Sequence, residues 1–178
     1  MAENCPTESI SLESSTPVQH AVLQSHGGCP GSRAMDFSGT DACDGNQEGT
    51  RASQLRQWPV QLHLVSPEAP YFKDADVLLA ADCVAFSVGD FHKDHLKGNA
   101  LAIACPKLDS NQDIYREKLT DLIDAANINT LSVMIMEVPC CMGLLNLAKS
   151  AVAAAGRKVP IKAKIVSLRG EILREEWC

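Results

Sequence analysis

Residues 130–156 read "TLSVMIMEVPCCMGLLNLAKSAVAAAG", and this one stretch holds most of the fold in miniature. It opens with an apolar run, Thr130 to Pro139, of the length and continuity expected for a strand buried on both faces. Behind it Leu144, Leu147, Ala148, Ala151, Val152 and Ala155 recur at helical spacing, with Gly156 placed to cap the end. Between strand and helix stands Pro139, followed by two adjacent cysteines, Cys140 and Cys141.

The same alternation extends outward on both sides. "VQLHLV" (60–65) alternates like a first strand, "DVLLAADC" (76–83) and "NALAIACP" (99–106) are continuous buried runs, and "IKAKIVSL" (161–168) alternates as an edge strand would. After the third run, Tyr115, Leu119, Leu122, Ile123 and Ala126 form one helical stripe, with Ser110 and Asp113 resembling a helix-start box. Val84 to Leu96 is a weaker helix candidate because Gly89 interrupts it. Five strands alternating with helices predict a doubly wound, mostly parallel five-stranded α/β sheet of flavodoxin or Rossmann-like layout, with helices on both faces.

The totals set the limits of that domain. A chain of 178 residues buries one self-sufficient core, and with 46% apolar but only 4% aromatic residues that core is aliphatic. Residues 1–54 carry seven acids and two bases and show no sustained period, which predicts a flexible acidic tail ahead of an α/β domain over 55–178. The body, with fifteen acids and fourteen bases, lacks the positive excess a nucleic-acid surface needs. No apolar run reaches membrane-spanning length, and "MAENCPTESISLESS" has neither a basic nor an apolar export region, so a cytoplasmic protein is expected. Homo-oligomerisation is left open.

Eight cysteines without an export signal point to thiol ligands rather than disulfides. Parallel sheets bind ligands beyond the carboxyl ends of their strands. Cys83 closes the second predicted strand, Cys105 the third, and Cys140 with Cys141 follows the fourth, so segments 22 and 35 residues apart deliver thiols to one rim. Cys141, in the first turn of its helix, is expected to have a lowered thiol pKa. Pro106 and Pro139 stiffen the loops that carry these residues. A single buried cysteine is most often a small hydrophobe, but four at equivalent positions favour a site. Cys5, Cys43 and Cys178 read as incidental, and Trp58 and Trp177 as packing at the ends of the domain.

Four thiolates suit a 4Fe-4S cluster or a tetrahedral zinc ion. The spacing contains neither a zinc-ribbon knuckle nor a ferredoxin run, and an iron-sulfur cluster is the favoured expectation. The rival is a Cys/His/Asp zinc site of a hydrolase or lyase, drawing on Asp82, Asp90, His92, Asp94 and His95; the favoured reading of those histidines is instead as solvated residues on a polar helix face. Glu137 would orient a neighbouring group or reach a loop N–H. No dinucleotide fingerprint, Walker lysine or nucleophile elbow is present.

"QWPVQLHLVSPEAPYFKDADVLLAADCVAFSVGDFH", "LAIACPKLD" and "MEVPCCMGLLNLAK" resemble the carboxyl-terminal domain of ferredoxin-type iron-sulfur proteins of anaerobic prokaryotes. "HGGCPGSR" (26–33) is similar to the segment that joins this domain to an upstream ferredoxin module in that group. The resemblance covers roughly residues 26–173 and implies redox chemistry, with Cys29, Cys83, Cys105, Cys140 and Cys141 as the matched positions and a redox protein as partner. The chain departs from the group in lacking the ferredoxin module, and in placing Met142 where a glycine usually follows the cysteine pair, which implies a more crowded site.

Overall fold

A computed structural model describes residues 34–36 and 51–178. Cys5, Cys29 and Cys43, and most of the predicted tail, lie outside the described residues. A two-residue antiparallel ribbon pairs β1 (Met35–Asp36) with β2 (Gln57–Trp58). The main sheet follows: β3 (Asp76–Ala81), α1 (Val84–Ser87), β4 (Asn99–Ala104), α2 (Gln112–Asp124), β5 (Thr130–Met136), α3 (Met142–Ala154), β6 (Ile161–Val166) and β7 (Ile172–Trp177).

Strand order is β4-β3-β5-β6-β7, parallel throughout except for β7, which returns antiparallel to β6. The step from β3 to β4 moves one way along the sheet; the steps from β4 to β5 and from β5 to β6 move the other way. Right-handed crossovers therefore place α1 on one face and α2 with α3 on the other. The end of α3 is tied to α2 by Asp124, whose carboxylate accepts the N–H groups of Gly156 at 2.9 Å and Arg157 at 3.2 Å. This is the expected doubly wound sheet, with Val77, Leu79, Val133 and Ile135 fully buried at its centre.

The structure departs from expectation at several local points, each with a physical cause. "VQLHLV" is not a strand: only Gln61 bridges Ile103, and then the N–H groups of Leu64 and Val65 both turn back to the Gln61 carbonyl. Lys118 fixes that turn by donating to the carbonyls of Leu62, His63 and Val65, so tertiary bonds override the alternation. The fifth strand is instead β7, and β6 is an interior strand rather than an edge. The Ser110–Asp113 box does not form, because α2 starts after Asn111 in left-handed conformation (φ 57) with no side-chain cap. Gly156 likewise stays out of the left-handed region, and its amide is satisfied by Asp124. The weak segment after Cys83 splits into four-residue α1 and a π-type turn over His92–Leu96.

Candidate cysteine site at the carboxyl-terminal rim

The connections leaving β3 and β5 diverge to opposite faces, and these strands are neighbours. Their carboxyl ends thus bound the crevice in which doubly wound folds bind ligands. Cys83 stands two residues after β3 and immediately before α1. Cys140 and Cys141 follow β5 in the single 3-10 turn Pro139–Cys141, which runs directly into α3. Cys105 follows β4, the strand on the other side of β3.

The loop carrying Cys105 is held tightly. Its carbonyl accepts the N–H groups of Leu108 and Asp109, at 3.0 and 2.8 Å, while its own N–H donates to Asp109 Oδ2 at 2.8 Å. Tyr115 Oη donates to that same carboxylate oxygen at 2.6 Å. Pro106 seats against Gly143 in the first turn of α3, where an added Cβ would lie 3.4 Å from the proline Cβ. The Cys105 loop therefore passes close to the first turn of α3.

All five described cysteines are free; Cys83 and Cys140 are exposed, Cys105 is half-buried and Cys141 is buried. Burial pushes the Cys141 thiol above its ordinary value; a hydrogen bond with the Met136 backbone works the other way, and the neighbouring sulfurs of Cys140 and Cys83 raise it again. The expectation of a lowered thiol pKa at this helix start is thus reversed. Desolvation and like charge outweigh the helix dipole.

Beside the thiols lies a pair of carboxylates. Asp82 is raised by burial and then by the charge of Asp109, with a hydrogen bond from Gln61 opposing, and its Oδ1 is buried without a hydrogen-bond partner. Tyr115 is pushed far up, chiefly by burial and its bond to Asp109, with Asp82 and Cys105 adding negative potential. The sequence pattern marks Tyr115 only as a core residue; its hydroxyl's role in holding the Cys105 loop had no sequence signal beyond the Asp109 six residues earlier.

The histidine-rich segment turns elsewhere. Asp90 pairs with Arg51 at 3.0 Å, and His92 Nδ1 accepts the N–H of Gln54 at 3.1 Å, beside a cavity of about 320 Å³ lined by Arg51, Ser53, Phe91 and Lys93. His95 lies 3.3 Å from Lys164 Nζ, and its pKa is lowered by burial and by that lysine. Glu137 takes the simpler of its two expected roles, accepting the Leu168 N–H at 2.9 Å. Among the described residues, no three His, Cys, Asp or Glu side chains are grouped so as to hold one metal ion. No helix among them is long and apolar enough to cross a membrane.

With an open parallel sheet and a rim of strand-end loops in view, the class is defined: the chain belongs to the Rossmann-like domain family, whose model matches residues 69–177. A protein of Archaeoglobus fulgidus, described as uncharacterized, is 31% identical over 119 residues, which is 67% of this chain and 83% of the relative. No solved structure matches the chain significantly.

Proposed function

We propose that the chain is an iron-sulfur protein, with Cys83, Cys105, Cys140 and Cys141 as ligands of one 4Fe-4S cluster, acting in electron transfer or redox sensing with a partner protein. The observation that carries this reading is that Cys83, Cys105 and the Cys140–Cys141 pair each follow the carboxyl end of one of three neighbouring parallel strands, β3, β4 and β5. The residue-level resemblance to the carboxyl-terminal domains of ferredoxin-type proteins supports the same chemistry.

Ligand spacing favours a cluster over zinc. A single zinc ion holds every sulfur at about 2.3 Å, so its ligands must crowd together. A cubane distributes its thiolates over different irons and takes them from positions further apart. The rim draws its thiols from three separate strand ends, which suits the second geometry. The donor chemistry suits it as well: soft sulfur and a buried apolar floor that includes Val84 and Met136.

Anaerobic purification followed by metal and sulfide analysis tests this directly. The expected result is about four iron and four acid-labile sulfide per chain, with a visible absorbance that dithionite bleaches. One zinc per chain with no sulfide would replace the reading by a zinc protein, and a metal-free chain after anaerobic reconstitution would end it.

A further inference from the structure

The two edges of the main sheet are finished differently. Along β4 the chain covers its own edge. The Gln57 side chain donates to the Leu101 carbonyl at 2.9 Å and accepts the Leu101 N–H at 3.0 Å, and further on the Val60 carbonyl accepts the Ile103 N–H at 2.8 Å. β7, at the other end of the strand order, pairs only with β6 among the described residues. All six of its residues are exposed, Leu173 at 54% and Trp177 at 61%. A bare strand edge is a template for another strand, and soluble proteins ordinarily cover or blunt it.

The hydrogen-bond pattern fixes which backbone groups this edge offers. The Cys178 N–H donates to the Ile161 carbonyl, so these residues form a hydrogen-bonded pair of the antiparallel ladder, and such pairs alternate with non-bonded ones. Ala163 is opposite Glu176 and Ile165 opposite Arg174, so the backbones of Glu176 and Arg174 point inward to β6. Those of Glu175 and Trp177 point outward, away from the sheet.

The charges of β7 suit a copy of itself. When a strand meets its copy antiparallel about a two-fold axis, the axis passes through one residue, because residues directly opposite share a face of the sheet. An axis through Arg174 sets that arginine against its copy, and one through Glu176 does the same for the glutamate; like charges directly opposite are destabilising. An axis through Glu175 sets Arg174 opposite Glu176 on both sides and brings Leu173 level with Trp177. Arg174 and Glu176 already share a face, with 3.7 Å between their charged groups. Glu175 then meets its copy, but each is bound by Lys162 and lies 3.9 Å from Lys164, so the two carboxylates sit among lysines from both chains. Glu175 is also a residue whose backbone faces outward, as one on the axis must to exchange hydrogen bonds with its copy.

We propose that the protein forms a two-fold dimer in which β7 of one copy pairs antiparallel with β7 of the other about Glu175, joining the two sheets into one. The occupant of this edge is a second copy because Arg174-Glu175-Glu176, set against its own reverse, pairs opposite charges at both ends in the register that the outward-facing backbone requires. The interface is narrow, so association is weak and concentration-dependent. It goes beyond the cluster reading and does not depend on metal.

The test is sedimentation equilibrium of the complete chain over a range of concentrations, with reductant present to keep Cys178 from cross-linking. A monomer–dimer equilibrium is expected. Arg174→Glu or Glu176→Arg alone turns both cross-strand pairs into like charges and should raise the dissociation constant about tenfold. An equimolar mixture of the two variants should recover the unaltered value, since each supplies the charge that the other lacks. A second measurement needs no variant: amide exchange at Glu175 and Trp177 should slow as concentration rises, while Arg174 and Glu176 are protected throughout. A chain that stays monomeric at every concentration would overturn the proposal. So would a dimer indifferent to both charge reversals, which would assign association to another surface, or exchange at Glu175 and Trp177 that ignores concentration.

Discussion

The two ends of the sheet are built on opposite principles. At the amino-terminal end the polar groups close on one another: Asn127 donates to Asp74 Oδ1, Asn129 to the Asp74 carbonyl and Thr130 to Asp76 Oδ1, each at 2.6 Å. At the carboxyl-terminal end thiols stand free, a buried Asp82 oxygen has no partner, and large apolar side chains face outward. Each end keeps one buried side-chain oxygen without a partner, Asp82 Oδ1 at the carboxyl-terminal end and Tyr71 Oη near the amino-terminal one, so the contrast lies in the free thiols and the exposed apolar side chains. Free thiols beside bare apolar side chains make the carboxyl-terminal end the one on which the proposed site depends.

The sharpest break in that comparison comes from Cys83→Ser. The side chain is exposed, so the metal-free fold should keep its stability within about 0.5 kcal/mol, whereas bound iron should fall to a small fraction of the unaltered protein's. Iron and sulfide per chain, set beside urea unfolding of the metal-free chain, check both halves. Retention of full iron would remove Cys83 from the ligand set. Cys141→Ser differs in kind, because it places a hydroxyl in a buried position and should cost stability as well as iron.

The β6–β7 turn contributes its own stability at the carboxyl-terminal end, beside the bonded Cys105 loop. Gly170 has φ +87, and an added Cβ would come within 2.2 Å of the Ser87 carbonyl oxygen at the end of α1. Gly170→Ala therefore combines a disfavoured backbone with a clash against main chain, and should cost roughly 3 kcal/mol in denaturant unfolding. At the opposite end Asp74→Ala loses the Asn127 bond and sets alanine at φ 54, for about 1 to 2 kcal/mol, with iron content unchanged. If Asp74→Ala lowered iron content as much as Cys83→Ser, the division of labour between the two ends would fail.

The same division explains what the sequence disclosed. Runs such as "DVLLAADC" and "TLSVMIM" are apolar throughout because parallel strands are covered on both faces, and the cysteines follow because the strands end there. β7 escaped because "ILREEW" is exposed along its whole length and rich in glutamate, a poor strand former; backbone pairing to β6 makes it a strand, and only Gly170 hinted at the turn before it. The bare apolar side chains near the strand-end cysteines were invisible for a different reason. Phe86 and Leu108 look like core residues to any hydrophobic pattern, and nothing local distinguishes an apolar side chain that faces outward.

The smallest expected effect lies on that polar edge strand. Glu175 binds Lys162 and lies 3.9 Å from Lys164, and its pKa is held below the ordinary 4.5, first by the Lys162 hydrogen bond, against some desolvation, then by Lys164, Lys162 and His95. A carboxylate whose folded pKa is depressed contributes stability that is fully present above its unfolded value and is lost as pH falls through the folded one. The side chain is 38% exposed, so solvent screens the pair and the contribution should stay below about 1 kcal/mol. Glu175→Gln should lower the melting temperature slightly near neutral pH, and the gap from the unaltered chain should close as the pH drops from about 5 to 3. His95, depressed below 6.5 mainly by burial, loses stability in the higher window as it protonates, which separates the two groups. A gap that persisted undiminished at the acid limit would mean that Glu175 holds β7 by packing rather than by charge.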